Sequence, residues 1–181
     1  MANIAYMAVS LDGYIADRHG TVDWLDDIPN PDDSDFGYNT FIERIDALLM
    51  GANSFRFVHS YGTWPYTRPV FVASKSMTEL PEGYEKKAFL VRGEVTELLQ
   101  GVRDRGYKNI YVDGGVITQD CLRAGVLDEL IMTHIPIILG GGVPLFSEAN
   151  ESLHLDHVKT EVFNPAGLVQ SHYLVRKESN S

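Results

Sequence analysis

The most informative stretch of the sequence is IYVDGGVITQDCL, residues 110–122, in which β-branched and aromatic residues stop at two adjacent glycines. Ile110–Asp113 is typical of a buried strand, and the polar and apolar spacing of Thr118–Ala124 predicts a helix. Gly114 and Gly115 permit a tight turn, toward which the following helix would direct its unpaired N–H groups and positive dipole end. The pattern fits a diphosphate site, and it also fits an ordinary strand-to-helix turn without a ligand.

Length, charge and cysteine content restrict the class of protein. A chain of 181 residues is long enough for one well-buried core, so we expect a single domain over residues 1–181. Its one cysteine, Cys121, cannot form an internal disulfide, which indicates a reducing compartment, by default the cytoplasm. The formal charge of −10 disfavours nucleic acid as a partner. Without a long uncharged apolar run, we expect no membrane partner either.

Apolar runs alternate with helix-like segments, which predicts an α/β fold with a mostly parallel central sheet and helices on both faces. The predicted strands are Ile4–Ser10, Ala47–Gly51, Val70–Ala73, Ala88–Val91, Ile110–Asp113, Glu129–Ile135, Leu153–Asn164 and Val169–Arg176. The predicted helices are Asn39–Arg44, Val95–Arg105 and Thr118–Ala124. The turn residues Asn-Pro-Ala-Gly join the last two strands, so an antiparallel C-terminal hairpin is expected.

Several strands end in residues that suit a ligand. Gly51 ends the second strand, Ser74 and Lys75 follow the third, and Gly114 follows the fifth. Because ligands of open α/β sheets bind beyond the carboxyl ends of the strands, we expect these residues to meet at one edge.

Four motifs, in this order along the chain, resemble the dihydrofolate reductase superfold. They resemble more closely its branch formed by the reductase domain of the riboflavin-pathway deaminase-reductase and its stand-alone relatives. The motifs are AVSLDGYIAD with HGTVDWL, LLMGANSF, the Gly-Gly turn, and ELIMTHIPIILGGGVPLF. The resemblance implies the dihydrofolate reductase-like fold and a reductase that uses NADPH, with NADH left open.

The resemblance also implies which residues hold the cofactor. Carried over by position, Ile15 and Ala16 would lie along the nicotinamide, and Ser74 and Lys75 would lie beside the adenosine ribose and its phosphate. The diphosphate would be held by Gly114, Gly115, Val116, Ile117 and Thr118. Next to it, Gly51, Asn53 and Ser54 would form the adjacent strand end and helix start. The family's arginine after Met-Gly is Ala52 in this chain. Because alanine lacks the donor fork that grips a 2′-phosphate, the preference for NADPH over NADH stays open.

A carboxylate and a threonine are the implied catalytic pair. Asp35 has the family's spacing before Gly51, and Thr133 matches the threonine of Thr-His-Ile. The pair would anchor the ring of a pyrimidine or pteridine-type substrate, and burial would raise the pKa of Asp35 toward the working pH. Asp35 is equally interpretable as a helix cap. Trp24 would lie in a loop over the substrate, or else pin that loop to the core.

Three further expectations concern metals, function and assembly. His154 and His157 have metal-like spacing without a supporting ligand cluster, so no metal is expected. The alternatives to riboflavin-type reduction are dihydrofolate reduction and a catalytically silent nucleotide-binding module. Arg18, Arg56, Arg68 and Lys75 are available to a substrate phosphate. Apolar C-terminal segments such as EVF and HYLVR would permit a homodimer, as in many relatives.

Overall fold

The structure is a computed structural model that describes residues 1–146 and 152–177. Its strands are β1 (Asn3–Ser10), β2 (Tyr14–Ala16), β3 (Ala47–Gly51), β4 (Val70–Ala73), β5 (Ala88–Val91), β6 (Ile110–Asp113), β7 (Glu129–Ile135), β8 (Val143–Pro144), β9 (Leu155–Phe163) and β10 (Leu168–Val175). Its α-helices are α1 (Tyr38–Glu43), α2 (Ala52–Ser60), α3 (Val95–Asp104) and α4 (Gly115–Arg123). None of the helices in this part of the chain has the length and hydropathy needed to cross a bilayer.

Eight strands form one sheet in the order β5-β4-β3-β6-β1-β7-β10-β9. The six strands from β5 to β7 pair in parallel, whereas β10 is antiparallel to both of its neighbours. The short strands β2 and β8 form a separate two-stranded ladder. The predicted α/β class, with a mostly parallel sheet and an antiparallel C-terminal hairpin, is confirmed.

Helices cover both faces of the sheet because each presents an apolar stripe. On one face, α3 buries Val95, Leu98, Leu99 and Val102, which follow the predicted helical spacing, and α4 buries Ile117 and Cys121. On the other face, Phe41 of α1 and Phe55 of α2 pack against the sheet. A third apolar cluster around Trp24 and Leu168 lies under the loop that follows β2.

Most boundaries agree with the sequence-based prediction to within two residues, and one helix start does not. The helix predicted at Thr118–Ala124 spans Gly115–Arg123, because Gly115 already has helical backbone and only Gly114 forms the turn. The first predicted C-terminal strand is shortened to Leu155–Phe163, and the second is shifted by one residue to Leu168–Val175. The ladder of β2 with β8 was not predicted, since strands of three and two residues carry almost no periodicity.

The carboxyl ends of the central strands meet at one edge, as predicted. Met50 at the end of β3 lies opposite Asp113 at the end of β6, and Gly51 lies opposite Ala73 at the end of β4. The residues that directly follow these strands therefore surround one site.

Candidate active site

Gly114 and Gly115 lie where the starts of α2 and α4 approach each other. A Cβ atom added at Gly114 would collide with the hydroxyl oxygen of Ser54, and one added at Gly115 would collide with the end of Ile15. Gly114 also has φ 96° and ψ 149°, a conformation that side chains rarely adopt. The backbone of Gly114 thus favours glycine, an added Cβ at either position would displace the end of a neighbouring side chain, and the turn brings predicted cofactor residues from three separate segments together.

The first turn of α4 offers polar groups that the described chain does not use. Within the described part of the chain, no side chain caps the N-terminus of this nine-residue helix. Thr118 is fully buried, and its hydroxyl has no hydrogen-bond partner among the described residues. Val116 is exposed, while the side chain of Ile117 belongs to the core. A bound oxyanion would find a helix N-terminus here, where the dipole favours negative charge.

The flanks of this turn carry the other predicted cofactor residues. Ile15 is partly buried and Ala16 is buried in β2, next to the turn. Asn53 is exposed at the start of α2, and its side-chain oxygen accepts a hydrogen bond from Arg56 at 2.9 Å. Ser74 caps its own turn, and the Lys75 ammonium lies 3.7 Å from Glu94 with 89% of its side chain exposed.

A carboxyl group that the sequence did not single out ends β6 directly before the two glycines. Asp113 is partly buried and accepts hydrogen bonds from the Tyr66 hydroxyl at 3.1 Å and the Tyr111 hydroxyl at 3.2 Å. Loss of solvation raises the pKa of Asp113, although these bonds oppose the shift. The Tyr111 hydroxyl also lies 3.0 Å from the carbonyl oxygen of Tyr6, so a protonated Asp113 can donate to the Tyr111 oxygen.

Thr133 belongs to a second polar group on the same face of the sheet. Its buried hydroxyl accepts a hydrogen bond from the Gln170 side chain at 2.9 Å. The same amide lies 3.0 Å from the Tyr6 hydroxyl and 3.3 Å from the carbonyl oxygen of Phe36. Tyr6 stacks on Phe41 with ring centroids 4.4 Å apart. These contacts form a largely buried cluster of two stacked aromatic rings, an amide and two hydroxyl groups.

The prediction that burial raises the pKa of Asp35 is wrong. Its carboxylate is exposed and accepts hydrogen bonds from the backbone N–H groups of Asn39 at 2.8 Å and Gly37 at 3.0 Å, which places it at the start of α1 as a cap. These bonds, led by the one from Asn39, lower the pKa of Asp35, whereas burial was expected to raise it. The hydroxyl of Thr133 has Gln170 as its partner in place of Asp35. The positive φ of Phe36 and Gly37, which the sequence did not predict, turns the chain so that α1 begins after Asp35.

Trp24 lies in a single 3₁₀ turn, Asp23–Leu25, and packs with Ile135 and Leu168. Trp24 was expected either to lie over the substrate or to pin its loop to the core, and this packing agrees with the second interpretation. Its indole N–H is buried and has no partner in the described chain.

The remaining candidates lie away from this edge or have structural partners. Cys121 is a buried core residue, and this burial raises the pKa of its thiol to about 12. His154 and His157 are exposed, and the described residues contain no cluster suited to a metal ion. Arg18 donates to the carbonyl oxygen of Gly140 at 2.5 Å, and Arg68 donates to that of Glu43 at 3.3 Å.

Comparison with solved structures first defines the class of fold. Dihydrofolate reductase from Enterococcus faecalis, complexed with NADP(H) and RAB-propyl, is similar with a TM-score of 0.66 and 18% identity, covering 97% of each chain. The fold is therefore dihydrofolate reductase-like.

Sequence then identifies the family: the chain belongs to the RibD C-terminal domain family, whose model matches residues 3–169. The "Putative riboflavin biosynthesis protein" of Shewanella sp. PV-4 is 46% identical with a TM-score of 0.93, and the match covers 98% of this chain and 100% of that one. "Uncharacterized protein YwjB" of Bacillus subtilis (strain 168) is 33% identical over 178 residues, which is 94% of this chain and 96% of YwjB.

Sequence reasoning missed Asp113, the tyrosines around it and Gln170. A signal existed for Asp113, since it is the last strand residue before the Gly-Gly turn and thus had to lie at the ligand edge. Gln170 lies directly opposite Thr133 in the antiparallel ladder of β7 and β10, which a correct hairpin register would have revealed. Tyr66 comes from the loop before β4, and no local pattern marks it.

Proposed function

We propose that this chain is an NAD(P)H-dependent reductase of the riboflavin-pathway type, which reduces a small pyrimidine or pteridine-type heterocycle. The observation that carries the proposal is the uncapped start of α4 directly beside the carboxyl group of Asp113, whose pKa is raised. An anion at the helix start would be repelled by an ionised neighbour, and a protonated Asp113 avoids that repulsion. Family membership and the NADP(H) bound to the E. faecalis relative support the choice of cofactor.

The residues at this edge fit a dinucleotide. Backbone N–H groups of residues 115–118 would hold the diphosphate together with the unpartnered Thr118 hydroxyl and the adjacent Ser54. Ile15, which already contacts Gly115, would form one wall of the nicotinamide site, and Ser74 with Lys75 would lie beside the adenosine. The bound cofactor would supply the hydride.

In this proposal, discrimination between NADPH and NADH depends on positively charged side chains near α2 and β4. Ala52 occupies the position of the family's arginine, so it offers no donor to a 2′-phosphate. Among the described residues Lys75 has a 3.7 Å contact with Glu94 in solvent, and such exposed pairs contribute little. Lys75 can therefore turn to a 2′-phosphate, and we expect NADPH to bind more tightly than NADH.

The proton that accompanies hydride transfer is assigned to Asp113 in this proposal. A general acid must be protonated near the working pH and must lie close to the reacting atoms. The raised pKa of Asp113 favours the first condition, and its place before the Gly-Gly turn favours the second. Asp35 meets neither, because its lowered pKa and its two backbone partners keep it ionised at the start of α1.

The substrate would lie against Tyr6 and the amide of Gln170, with Thr133 and Trp24 at its borders. An amide and hydroxyl groups match the carbonyl and N–H edge of a pyrimidine. Dihydrofolate reduction is disfavoured, because the carboxylate that would bind an amino-pyrimidine edge is engaged as a cap at Asp35.

Binding and turnover are tested separately. Purified protein is titrated with NADPH and NADH by fluorescence quenching, and then loss of absorbance at the nicotinamide band is followed with pyrimidines and pteridines. Gly115→Asp places an anion at the start of α4 and should abolish cofactor binding. The matched control is Gly125→Asp, which makes the same change just beyond the far end of that helix. There, none of the heavy atoms in the described residues that are tested as neighbours lies within 4 Å of an added Cβ.

The outcomes separate the alternatives. Binding with turnover that Asp113→Asn removes supports the reductase. Binding without turnover for any heterocycle supports a silent nucleotide-binding module. Absence of binding, or equal loss in the Gly115 and Gly125 variants, contradicts the cofactor site.

A further inference from the structure

Asp113 has a tyrosine hydroxyl beside each of its two carboxyl oxygens. The Tyr66 hydroxyl lies 3.1 Å from Oδ2, and the Tyr111 hydroxyl lies 3.2 Å from Oδ1. A proton on either oxygen therefore has a phenol oxygen within hydrogen-bonding distance, and a phenol oxygen can both accept and donate. A proton that leaves Asp113 along these hydrogen bonds passes through one of the two tyrosines.

The two hydroxyls differ in where they lead. Tyr111 is 6% exposed, and its hydroxyl also lies 3.0 Å from the carbonyl oxygen of Tyr6. A carbonyl oxygen carries no proton, so the path through Tyr111 ends at the main chain of β1. Tyr66 is partly exposed, and within residues 1–146 and 152–177 its hydroxyl has Asp113 as its hydrogen-bond partner. Tyr66 is thus the hydroxyl through which Asp113 can reach a bound molecule.

Aromatic packing holds the ring of Tyr66 in the loop between α2 and β4. Trp64 contacts this ring edge-on with ring centroids 5.2 Å apart, and Trp64 packs in turn against Phe55 of α2 and against Tyr84. A phenylalanine at position 66 keeps the ring that makes these contacts. The hydroxyl of Tyr66 can therefore be removed while its ring stays packed.

We propose that Tyr66 is a catalytic residue that relays the proton of Asp113 to a nitrogen of the substrate. This inference rests on the proposed reductase function and adds the step between its acid and its substrate. When the carbon of a C=N bond takes hydride, the electron pair of that bond moves to the nitrogen, which forms an N–H bond with the Tyr66 proton. The O–H bond of Tyr66 breaks as the proton on Oδ2 of Asp113 moves to the phenol oxygen. Tyr66 ends the step as a neutral phenol and Asp113 as a carboxylate.

Tyr111 fits the product of this step. Its one hydroxyl proton can be donated either to the carbonyl oxygen of Tyr6 or to Oδ1 of Asp113. Once Asp113 is a carboxylate, Tyr111 and the re-formed Tyr66 hydroxyl can both donate to it. Hydrogen bonds to an ionised acceptor are about twice as strong as neutral ones, so these two stabilise the carboxylate that the relay leaves behind.

The titratable groups beside Asp113 are phenols that keep their protons. Burial raises the pKa of Tyr66, of Tyr111 and of Tyr38, the last to about 12. A pH profile around neutrality therefore reports the carboxyl group of this cluster and not its phenols.

The contact is tested first, without cofactor or turnover. In the full chain labelled with carbon-13 aspartate, the carboxyl signal of Asp113 is the one that Asp113→Asn removes. Tyr66→Phe should raise the pKa that this signal reports, because a hydrogen bond that stabilises the carboxylate is lost. Tyr84→Phe is the matched control, since it removes a hydroxyl of the same aromatic cluster that lies 2.9 Å from His59, and it should leave the signal unchanged. An Asp113 pKa that ignores Tyr66→Phe would overturn the inference.

Turnover then separates a relay from a group that only tunes Asp113. NADPH oxidation is followed against pH with 7,8-dihydropterin and 5-amino-6-(ribosylamino)uracil as probes. Tyr66→Phe should lower kcat by at least about a hundredfold at every pH and leave NADPH affinity unchanged, because proton transfer by a positioned side chain contributes about 10²–10⁴-fold. Tyr111→Phe should also raise the pKa of Asp113 but should reduce kcat far less at low pH, since no proton passes through it. Tyr84→Phe should leave kcat unchanged.

The outcomes distinguish the relay from the proposed function. Loss of kcat at every pH in Tyr66→Phe alone supports the relay. A Tyr66→Phe chain that keeps the wild-type kcat at low pH and only shifts its profile to higher pH overturns the relay, while the reductase stands. A wild type that oxidises no NADPH with either probe contradicts the proposed function and the relay with it.

Discussion

Gly114→Ala is the most direct probe of the turn at the candidate site, because two separate physical costs meet there. With φ 96° and ψ 149°, Gly114 occupies a backbone region that is essentially restricted to glycine, and forcing alanine into it costs about 1–3 kcal/mol. The added Cβ would also collide with the Ser54 hydroxyl oxygen, while it would lie an ordinary 3.5 Å from the Ser54 Cβ. Overpacking of this kind costs about 1–3 kcal/mol.

The two costs are separable, since Ser54→Ala removes only the colliding oxygen. The double variant, Gly114→Ala with Ser54→Ala, should therefore recover the packing cost and keep the backbone strain. Gly62→Ala is the matched control, because Gly62 has φ 70° and no atom within 4 Å of a Cβ position. Its cost should be that of the left-handed backbone alone, about 1–2 kcal/mol.

Urea unfolding of the four variants, with a common m-value, gives the free energies of unfolding, and a double-mutant cycle gives the interaction between residues 54 and 114. We expect the cycle to show that Ser54→Ala stabilises the Gly114→Ala background and leaves the wild type nearly unchanged. Equal effects of Ser54→Ala in both backgrounds would refute the close approach of α2 and α4. A cost for Gly114→Ala no larger than for Gly62→Ala would refute it as well.

Three further variants test the site and the core. Burial raises the pKa of Asp113, so the folded chain keeps this proton to a higher pH than the unfolded chain. The free energy of unfolding should therefore fall as pH rises from the ordinary carboxyl pKa through the raised value. Asp113→Asn should remove that fall in urea unfolding at several pH values, and an unchanged profile would contradict the raised pKa. Asp35→Ala should lower the free energy of unfolding by about 1 kcal/mol at neutral pH, because the cap is lost. The effect should be smaller at pH values below the lowered pKa of Asp35, because the wild type also loses the charge there. A lack of effect at neutral pH would argue against the cap. Leu99→Ala in α3 should cost about 2–5 kcal/mol in the same assay, whereas the exposed Gln100→Ala should be nearly neutral, and similar costs would contradict the assigned face of α3.

The features that were predictable are those set by neighbours in the chain. The stripe of α3 follows from the 3.6-residue period, and the strand ends at Gly51 and Asp113 follow from apolar runs that stop at glycines. Parallel strands place their carboxyl ends at one edge whatever their order, so the meeting of Gly51, Ser74 and Gly114 could be anticipated without the topology. The family was predicted from the resemblance of four motifs in their order along the chain, and the family match over residues 3–169 confirms it.

The surroundings of Asp113 depend on contacts far apart in the chain, whereas those of Asp35 are set by a local turn. The resemblance implied that Asp35 is a catalytic carboxylate, with a helix cap as an equal interpretation, and a local turn at Phe36 and Gly37 directs its carboxylate to backbone N–H groups and leaves it in solvent. Asp113 is held by Tyr66, which is 47 residues away, and only the folded sheet removes water from this carboxyl group. Local sequence therefore determined the elements, the sheet edge and the glycine turn, because these depend on backbone sterics and on the period of apolar residues. The raised pKa of Asp113 was decided by the tertiary structure, because its loss of solvation and its hydrogen-bond partners are set by side chains that only the fold brings together.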